Sequence, residues 1–193
     1  IFHIANSFER VGANGLELVV DAVRFPELWR EGSPRFSPPS SLWRYVLELA
    51  TGRVLESPLD DRSIEFPRVD ERLTGSPARW TYAVSTLDSA TSAIVRYDLL
   101  EGTEPVVHEL SPGTMIGEPV FVPDAPESPE EDGWLVALTY DATRNGSDVV
   151  VYAAADVGSG PVGVVHLPRR VPYGFHGTWI PEYPQESETE PIR

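Results

Sequence analysis

Two histidines near opposite ends of the chain stand in settings suited to metal binding. His176 lies between aromatic residues and glycines in Pro172-Tyr173-Gly174-Phe175-His176-Gly177-Thr178-Trp179, and His3 lies in Phe2-His3-Ile4-Ala5-Asn6-Ser7-Phe8-Glu9. Neutral imidazole is the commonest protein ligand of redox-active metals, and small neighbours on a rigid turn allow the ring to be aimed. The two segments therefore predict a shared metal.

Two glutamates have equally unusual surroundings. Glu65 lies in Ile64-Glu65-Phe66-Pro67 and Glu118 lies in Ile116-Gly117-Glu118-Pro119, so both are predicted to be drawn inward among apolar neighbours. A buried carboxylate needs a hydrogen-bond donor. The free N–H of a metal-bound imidazole would be such a donor and would fix the ring's tautomer and orientation. The alternative is a buried salt bridge to Arg68 or another neighbour.

Composition restricts the function classes. The 193 residues are 41% hydrophobic, which is ordinary for a globular chain, and the net charge of -15 argues against binding to a phosphate backbone. Without cysteine, a metal must be bound through nitrogen and oxygen, and the lack of disulfides fits a cytoplasmic location. No apolar run is long enough to span a bilayer.

The pattern of short apolar runs predicts an all-β fold. Runs rich in valine, tyrosine and tryptophan alternate with glycine, proline, aspartate and serine clusters, and no segment keeps a helical period. The predicted strands are 16–23, 43–50, 79–86, 93–99, 106–110, 134–140, 148–154 and 162–167. The acidic, proline-rich segment 124–132 is predicted to be a solvated loop, with a cation site as the alternative. Segment 24–39 is predicted to be a long insertion between strands.

A weak internal repeat supports a propeller. Trp80, Tyr97-Asp98 and Val107-His108 recur as Trp134, Ala155-Asp156 and Val165-His166, roughly 54 to 58 residues later. Repeats of this size correspond to blades of three or four strands, and about three and a half would fit in the chain. Because His108 and His166 occupy equivalent places in successive blades, both are expected to be structural or surface residues.

The motifs around these residues resemble the carotenoid cleavage oxygenases. That family includes apocarotenoid and lignostilbene dioxygenases and the retinal pigment epithelium isomerase. The resemblance is carried in order by the His3 segment, Ile64-Glu65-Phe66-Pro67-Arg68-Val69, Gly117-Glu118-Pro119-Val120-Phe121-Val122-Pro123, Glu131-Asp132-Gly133-Trp134 and the His176 segment. It implies a seven-bladed β-propeller whose axis holds a non-haem Fe(II) through four histidines, three of them backed by glutamates.

Residue by residue, the resemblance implies that His3 and His176 are the third and fourth iron ligands. It pairs Glu65 with His3 and Glu118 with His176 in the outer shell. The first two ligands and a third outer glutamate have no counterpart here, and the sequence begins with Ile1. We therefore expect residues 1–181 to be the C-terminal part of a propeller that is inactive alone, followed by a flexible tail at 182–193.

The resemblance further implies a dioxygenase that cleaves a conjugated double bond of a carotenoid, apocarotenoid or stilbene with dioxygen to carbonyl products. Phe2, Phe66, Phe175 and Trp179 are candidates to line the substrate tunnel, though each could equally belong to the core. Alternatives are an isomerase or hydrolase using the same iron, and a propeller that only binds ligand. Peripheral membrane contact occurs in the family, but no basic or amphipathic helix is evident here.

Overall fold

Three antiparallel sheets follow one another along the chain in the computed structural model, which describes residues 1–27, 39–86 and 92–182. The first sheet has the order β1 (Ile4–Gly12), β2 (Gly15–Arg24), β3 (Ser41–Glu48) and β4 (Arg53–Asp60). Each strand pairs with the next in sequence; tight turns join β1 to β2 and β3 to β4, whereas residues 25–40 lie between β2 and β3. Gly15, with φ of 109°, closes the first hairpin in a backbone conformation that suits glycine.

The second sheet repeats this order. It contains β5 (Ile64–Arg68), β6 (Trp80–Thr86), β7 (Ser92–Asp98) and β8 (Val106–Glu109). A short 3₁₀ helix, Glu71–Leu73, connects β5 to β6, and its N-cap Asp70 accepts a hydrogen bond from the backbone N–H of Arg72.

The third sheet differs in its first strand, which is split in two. β9 (Thr114–Ile116) and β10 (Val120–Pro123) pair with opposite halves of β11 (Gly133–Asp141), which pairs with β12 (Gly146–Ala153) and then β13 (Pro161–His166). The interruption falls at residues 117–119. Because the strand pairing with β11 stops there, the side chain of Glu118 is free to turn away from the sheet.

All eight strands predicted from the sequence are present, with ends within two residues of the prediction. Five strands were not predicted, namely β1, β4, β5, β9 and β10. The proposed repeat is correct for Trp80 and Trp134, which begin β6 and lie near the start of β11. It is wrong for Asp98 and Asp156. Asp98 pairs with Trp80, but the residue that pairs with Trp134 is Ala153, and Asp156 lies in the 3₁₀ helix Ala154–Ser159.

The sheets pack face to face through two main apolar clusters. One contains Tyr82 and Ile94 of the second sheet with Phe121, Leu135 and Tyr152 of the third. The other joins the first and second sheets through residues that include Val23, Leu42, Ile64, Ala83 and Val95. Neighbouring sheets thus cover each other's faces, which is how propeller blades obtain a core.

The second cluster includes Phe25, near the start of the predicted insertion 24–39. Most of that insertion, residues 28–38, lies outside the described ranges. The predicted tail, apart from Glu182, also lies outside them. No helix in the described ranges is long and apolar enough to cross a membrane.

The acidic segment 124–132 is anchored more firmly than a solvated loop. Arg72 donates to the carbonyls of Pro126 and Ser128, at 2.6 and 3.0 Å, and Arg96 pairs with Glu131 at 2.7 Å. The loop from the third sheet is therefore clasped by arginines of the second. The prediction of a loop is right, but its acidic groups serve an interface between sheets as well as facing solvent.

Replacing Leu135 by alanine is expected to lower the free energy of unfolding by about 2–5 kcal/mol, because the side chain is fully buried between two sheets. Urea unfolding measures the change. Leu100→Ala is the matched control, since Leu100 is 59% exposed, and it should change stability by less than about 0.5 kcal/mol. Equal effects of the two variants would contradict the assigned core.

Stability is expected to fall as pH rises above 10. Burial raises the pKa of Tyr152 from 10.0 to about 12, and it also raises the pKa of Tyr82 and Tyr97. Because the folded state holds these protons more tightly than the unfolded state, their contribution is complete below pH 10 and is lost through the higher folded pKa. Tyrosinate absorbance during alkaline titration should therefore rise together with loss of sheet structure. Full ionisation of every tyrosine near pH 10 without unfolding would contradict this.

Candidate metal centre

His3 is anchored by backbone hydrogen bonds at the start of β1. The N–H of Phe2 donates to the carbonyl of Val23 at 2.9 Å, and the N–H of Val23 donates to the carbonyl of His3 at 2.8 Å. The imidazole Nδ1 lies 2.5 Å from Oε2 of Glu65. The ring is thus held by the first sheet and oriented by a carboxylate of the second.

Glu65 reaches His3 from an irregular point in β5. The pairing with β6 shifts register between Glu65 and Arg68, and Phe66 has φ of 51°, in the left-handed region that a bulky residue seldom adopts. Oε2 of Glu65 also accepts the N–H of Phe66 at 2.9 Å. Strain of this kind concentrates at functional sites, and here it accompanies the turn of the carboxylate towards the ring.

Glu118 lies in the break between β9 and β10. The N–H of Gly117 donates to the carbonyl of Leu138 at 2.8 Å and holds the broken strand against β11. Oε1 of Glu118 lies 3.0 Å from Nδ1 of His176, and Oε2 accepts the N–H of Gly177 at 2.8 Å. The Glu118 side chain is only 5% exposed, so protein groups rather than water contact most of its carboxylate.

The two imidazoles meet although they lie 173 positions apart in the sequence. Their ring centroids are 5.0 Å apart and their planes are nearly perpendicular, at 86°. The His176 side chain is 56% exposed, whereas that of His3 is 17% exposed. The structure thus brings together all four residues that the sequence singled out, as two histidine–carboxylate pairs.

The hydrogen bonds indicate which ring nitrogens are available. A carboxylate accepts, so Nδ1 of each ring carries the proton and Nε2 keeps its lone pair. A metal-binding histidine is commonly held in this way by an outer carboxylate. The pair therefore fits two positions around one cation, although no group of three or more metal-binding side chains occurs in residues 1–27, 39–86 and 92–182.

Aromatic side chains surround the paired rings. A cavity of about 590 Å³ is lined by both histidines, both glutamates and the four predicted tunnel residues, Phe2, Phe66, Phe175 and Trp179. The Phe66 ring lies 5.4 Å from that of His3 and 6.0 Å from that of His176. Phe2 and Phe66 also pack against the apolar clusters, so they belong to both wall and core.

The other two histidines lie elsewhere, on the last strands of the second and third sheets. The His108 ring contacts Tyr152 at a centroid distance of 5.7 Å. His166 lies 2.7 Å from Asp148 and is 70% exposed. Neither lines the cavity, as the sequence predicted.

Sequence reasoning missed Glu71 and Thr178, and it named Arg68 only as an alternative salt-bridge partner. Arg68 lies 3.2 Å from Oε1 of Glu118 and also pairs with Glu71, whose other oxygen accepts the hydroxyl of Thr178 at 3.2 Å. A salt bridge to Arg68 is the alternative that the sequence offers to pairing with histidine, and at Glu118 both contacts occur. The only sign of Arg68 as a partner in the sequence is its position three residues after Glu65.

Fold and site together define part of a β-propeller that carries two histidine–carboxylate pairs, and comparison with known proteins agrees on the fold. The family model described as RPE65, retinal pigment epithelial membrane protein, matches residues 1–181. The chain belongs to this family.

Relatives with curated names include a carotenoid cleavage oxygenase of Mycobacterium tuberculosis, 37% identical over 94% of this chain and 38% of the relative. Apocarotenoid-15,15'-oxygenase of Synechocystis is 31% identical over 93% of this chain and 38% of the relative. The chain thus spans less than two fifths of their length.

Solved structures agree on the fold. Cobalt-substituted Synechocystis apocarotenoid oxygenase superposes with a TM-score of 0.82 at 31% identity, covering 93% of this chain and 39% of that one. A chimera of that oxygenase with RPE65 gives a TM-score of 0.81 at 29% identity, with the same coverage. These structures are β-propellers, so the prediction of an all-β, partial propeller is confirmed.

Proposed function

We propose that the chain is the C-terminal part of an iron(II)-dependent dioxygenase that cleaves a conjugated carbon–carbon double bond of a carotenoid, apocarotenoid or stilbene. The observation that carries this proposal is the pairing of His3 and His176 at 5.0 Å, each with Nδ1 bonded to a carboxylate. The names of the relatives support the oxygenase class and a hydrophobic polyene substrate.

His3 and His176 would hold the iron through Nε2, and further ligands would come from outside the described residues. The bound ferrous ion would supply the activation of dioxygen. Glu65 and Glu118 keep each Nδ1 proton in place, which fixes the tautomer and makes each imidazole a stronger donor. Their negative charge also partly offsets the charge that four neutral imidazoles would leave on the cation.

The cavity supports the proposed class of substrate. Phe2, Phe66, Phe175 and Trp179 present apolar surface beside the two rings, where a polyene would be held by exclusion of water. In the overall reaction the double bond breaks and one molecule of dioxygen is consumed. Each carbon of that bond becomes a carbonyl carbon, so no other reductant or oxidant is needed.

Iron analysis and product assays on the full-length enzyme test the proposal. We expect stoichiometric iron and two carbonyl products per dioxygen consumed, and no activity from residues 1–193 alone in the same assay. Absence of iron after reconstitution, or absence of a carbonyl product from every polyene and stilbene supplied, would refute it. A rearranged product formed without dioxygen uptake would instead identify an isomerase.

A further inference from the structure

The two candidate ligands are held in different ways. His3 belongs to a segment whose backbone is bonded to β2 through Val23. His176 follows β13 in a segment, residues 167–182, that forms no strand. Near His176, this segment makes polar bonds to two carboxylates, Glu118 and Glu71. The position of His176 therefore depends on how those carboxylates are held.

Arg68 is the group that holds both carboxylates. One guanidinium nitrogen, Nη1, lies 3.2 Å from Oε1 of Glu118, and Nη2 pairs with Glu71. Glu118 in turn bonds His176 and the N–H of Gly177, while Glu71 accepts the hydroxyl of Thr178. The planar guanidinium presents two nitrogens in a fixed fork, which a single ammonium could not do.

Burial strengthens the attraction between Arg68 and Glu118. The Arg68 side chain is 17% exposed and that of Glu118 is 5% exposed, so their attraction is screened less than that of a surface pair. Glu65 has no such cationic partner in the described residues; its Oε2 bonds His3 and the Phe66 N–H. The support is therefore specific to the His176 side of the site.

We propose that Arg68 is a positioning residue for His176: with Glu118 and Glu71 it forms a clasp that holds the strandless segment 176–178 against the propeller and sets the direction of the His176 ring. This inference deepens the proposed function and rests on it. Arg68 does not line the cavity, and it acts through the two glutamates.

Cobalt(II) binding to the metal-free full-length enzyme tests the clasp, since a relative accepts cobalt. Arg68→Gln is expected to weaken cobalt affinity about tenfold, the lower end of the effect of removing an outer-shell partner. At saturating cobalt, its visible absorption bands should shift towards those of His176→Ala and away from those of His3→Ala. A residue that only stabilised the fold would lower the melting temperature without this selective shift.

Arg62→Gln is the matched control, because Arg62 pairs with a single carboxylate, Asp60, at 2.7 Å and does not line the cavity. It should leave affinity and spectrum unchanged. Glu71→Gln alters the other arm of the clasp at a half-exposed position, should fold normally, and should give a smaller shift in the same direction. If Arg68→Gln does not fold, Glu71→Gln provides the test of the clasp in its place.

Several outcomes would overturn the inference. They are wild-type affinity and spectrum in Arg68→Gln, a lowered melting temperature with the native spectrum, and a shift that matches His3→Ala. In each of these cases the wild-type enzyme still binds metal, so the proposed function survives. Failure of the wild-type enzyme to bind either iron or cobalt refutes both proposals together.

Discussion

Replacing either His3 or His176 by alanine is expected to lower iron affinity by more than about 100-fold, since removal of an outer-shell partner alone commonly lowers it 10–100-fold. Each change removes one of the two imidazoles whose ring centroids lie 5.0 Å apart. Cleavage of a polyene should fall below detection, and the purified full-length variants should contain little iron.

The remaining two histidines provide matched controls for this experiment. His108→Ala and His166→Ala remove the same side chain from the last strands of two sheets, away from the cavity. Both variants should retain wild-type iron content and activity. Normal iron content in His3→Ala or His176→Ala would show that the paired rings do not bind the metal.

The strands that sequence reasoning found are runs rich in valine, tyrosine and tryptophan, and in β2, β3, β11 and β12 many residues alternate between buried and more exposed. Four of the five missed strands give a weaker signal, and the fifth, β1, has few large apolar residues. β4 is exposed along almost its whole length, and β5, β9 and β10 have only three to five residues each. β5 also contains Pro67, which normally argues against a strand. The sequence signal for strands is thus weak in the short strands that flank or contain Glu65 and Glu118, where the backbone bends to direct these side chains towards the site.

The centre of the site was predictable because its residues carry local signals. A histidine among glycines and aromatics, or a glutamate among apolar residues, stands out in the sequence, as did His176 and Glu65. Glu71 and Thr178 did not stand out, because exposed acidic and hydroxyl side chains are common. Their importance arises only when a turn of the 3₁₀ helix brings Glu71 beside a segment 107 residues further along the chain.

The two outer carboxylates are expected to respond differently to conversion to glutamine. Glu65 uses a single oxygen, Oε2, for both of its hydrogen bonds, while Oε1 is buried without a partner. A glutamine there can keep its oxygen at the Oε2 position and retain both bonds. Glu65→Gln should therefore lose the charge without losing a hydrogen bond, and should lower iron affinity about tenfold.

Glu118 uses both oxygens, so Glu118→Gln must do more damage. Oε1 faces His176 and Arg68, and Oε2 accepts the N–H of Gly177. An amide nitrogen placed at either position would confront a donor. A buried unsatisfied donor costs about 1–3 kcal/mol. Because Gly177 is exposed, we expect the lower end of this range, equivalent to about fivefold to tenfold in affinity beyond the loss in Glu65→Gln.

Competition for iron against a chelator, measured in parallel on the two full-length variants, compares them directly. Glu109→Gln makes the same chemical change at an exposed position of β8 and should bind iron as the wild type does. Equal losses in Glu65→Gln and Glu118→Gln would mean that charge alone sets the affinity. A larger loss in Glu118→Gln requires geometry as well, because only there does the second oxygen hold the segment that carries the imidazole, through the N–H of Gly177.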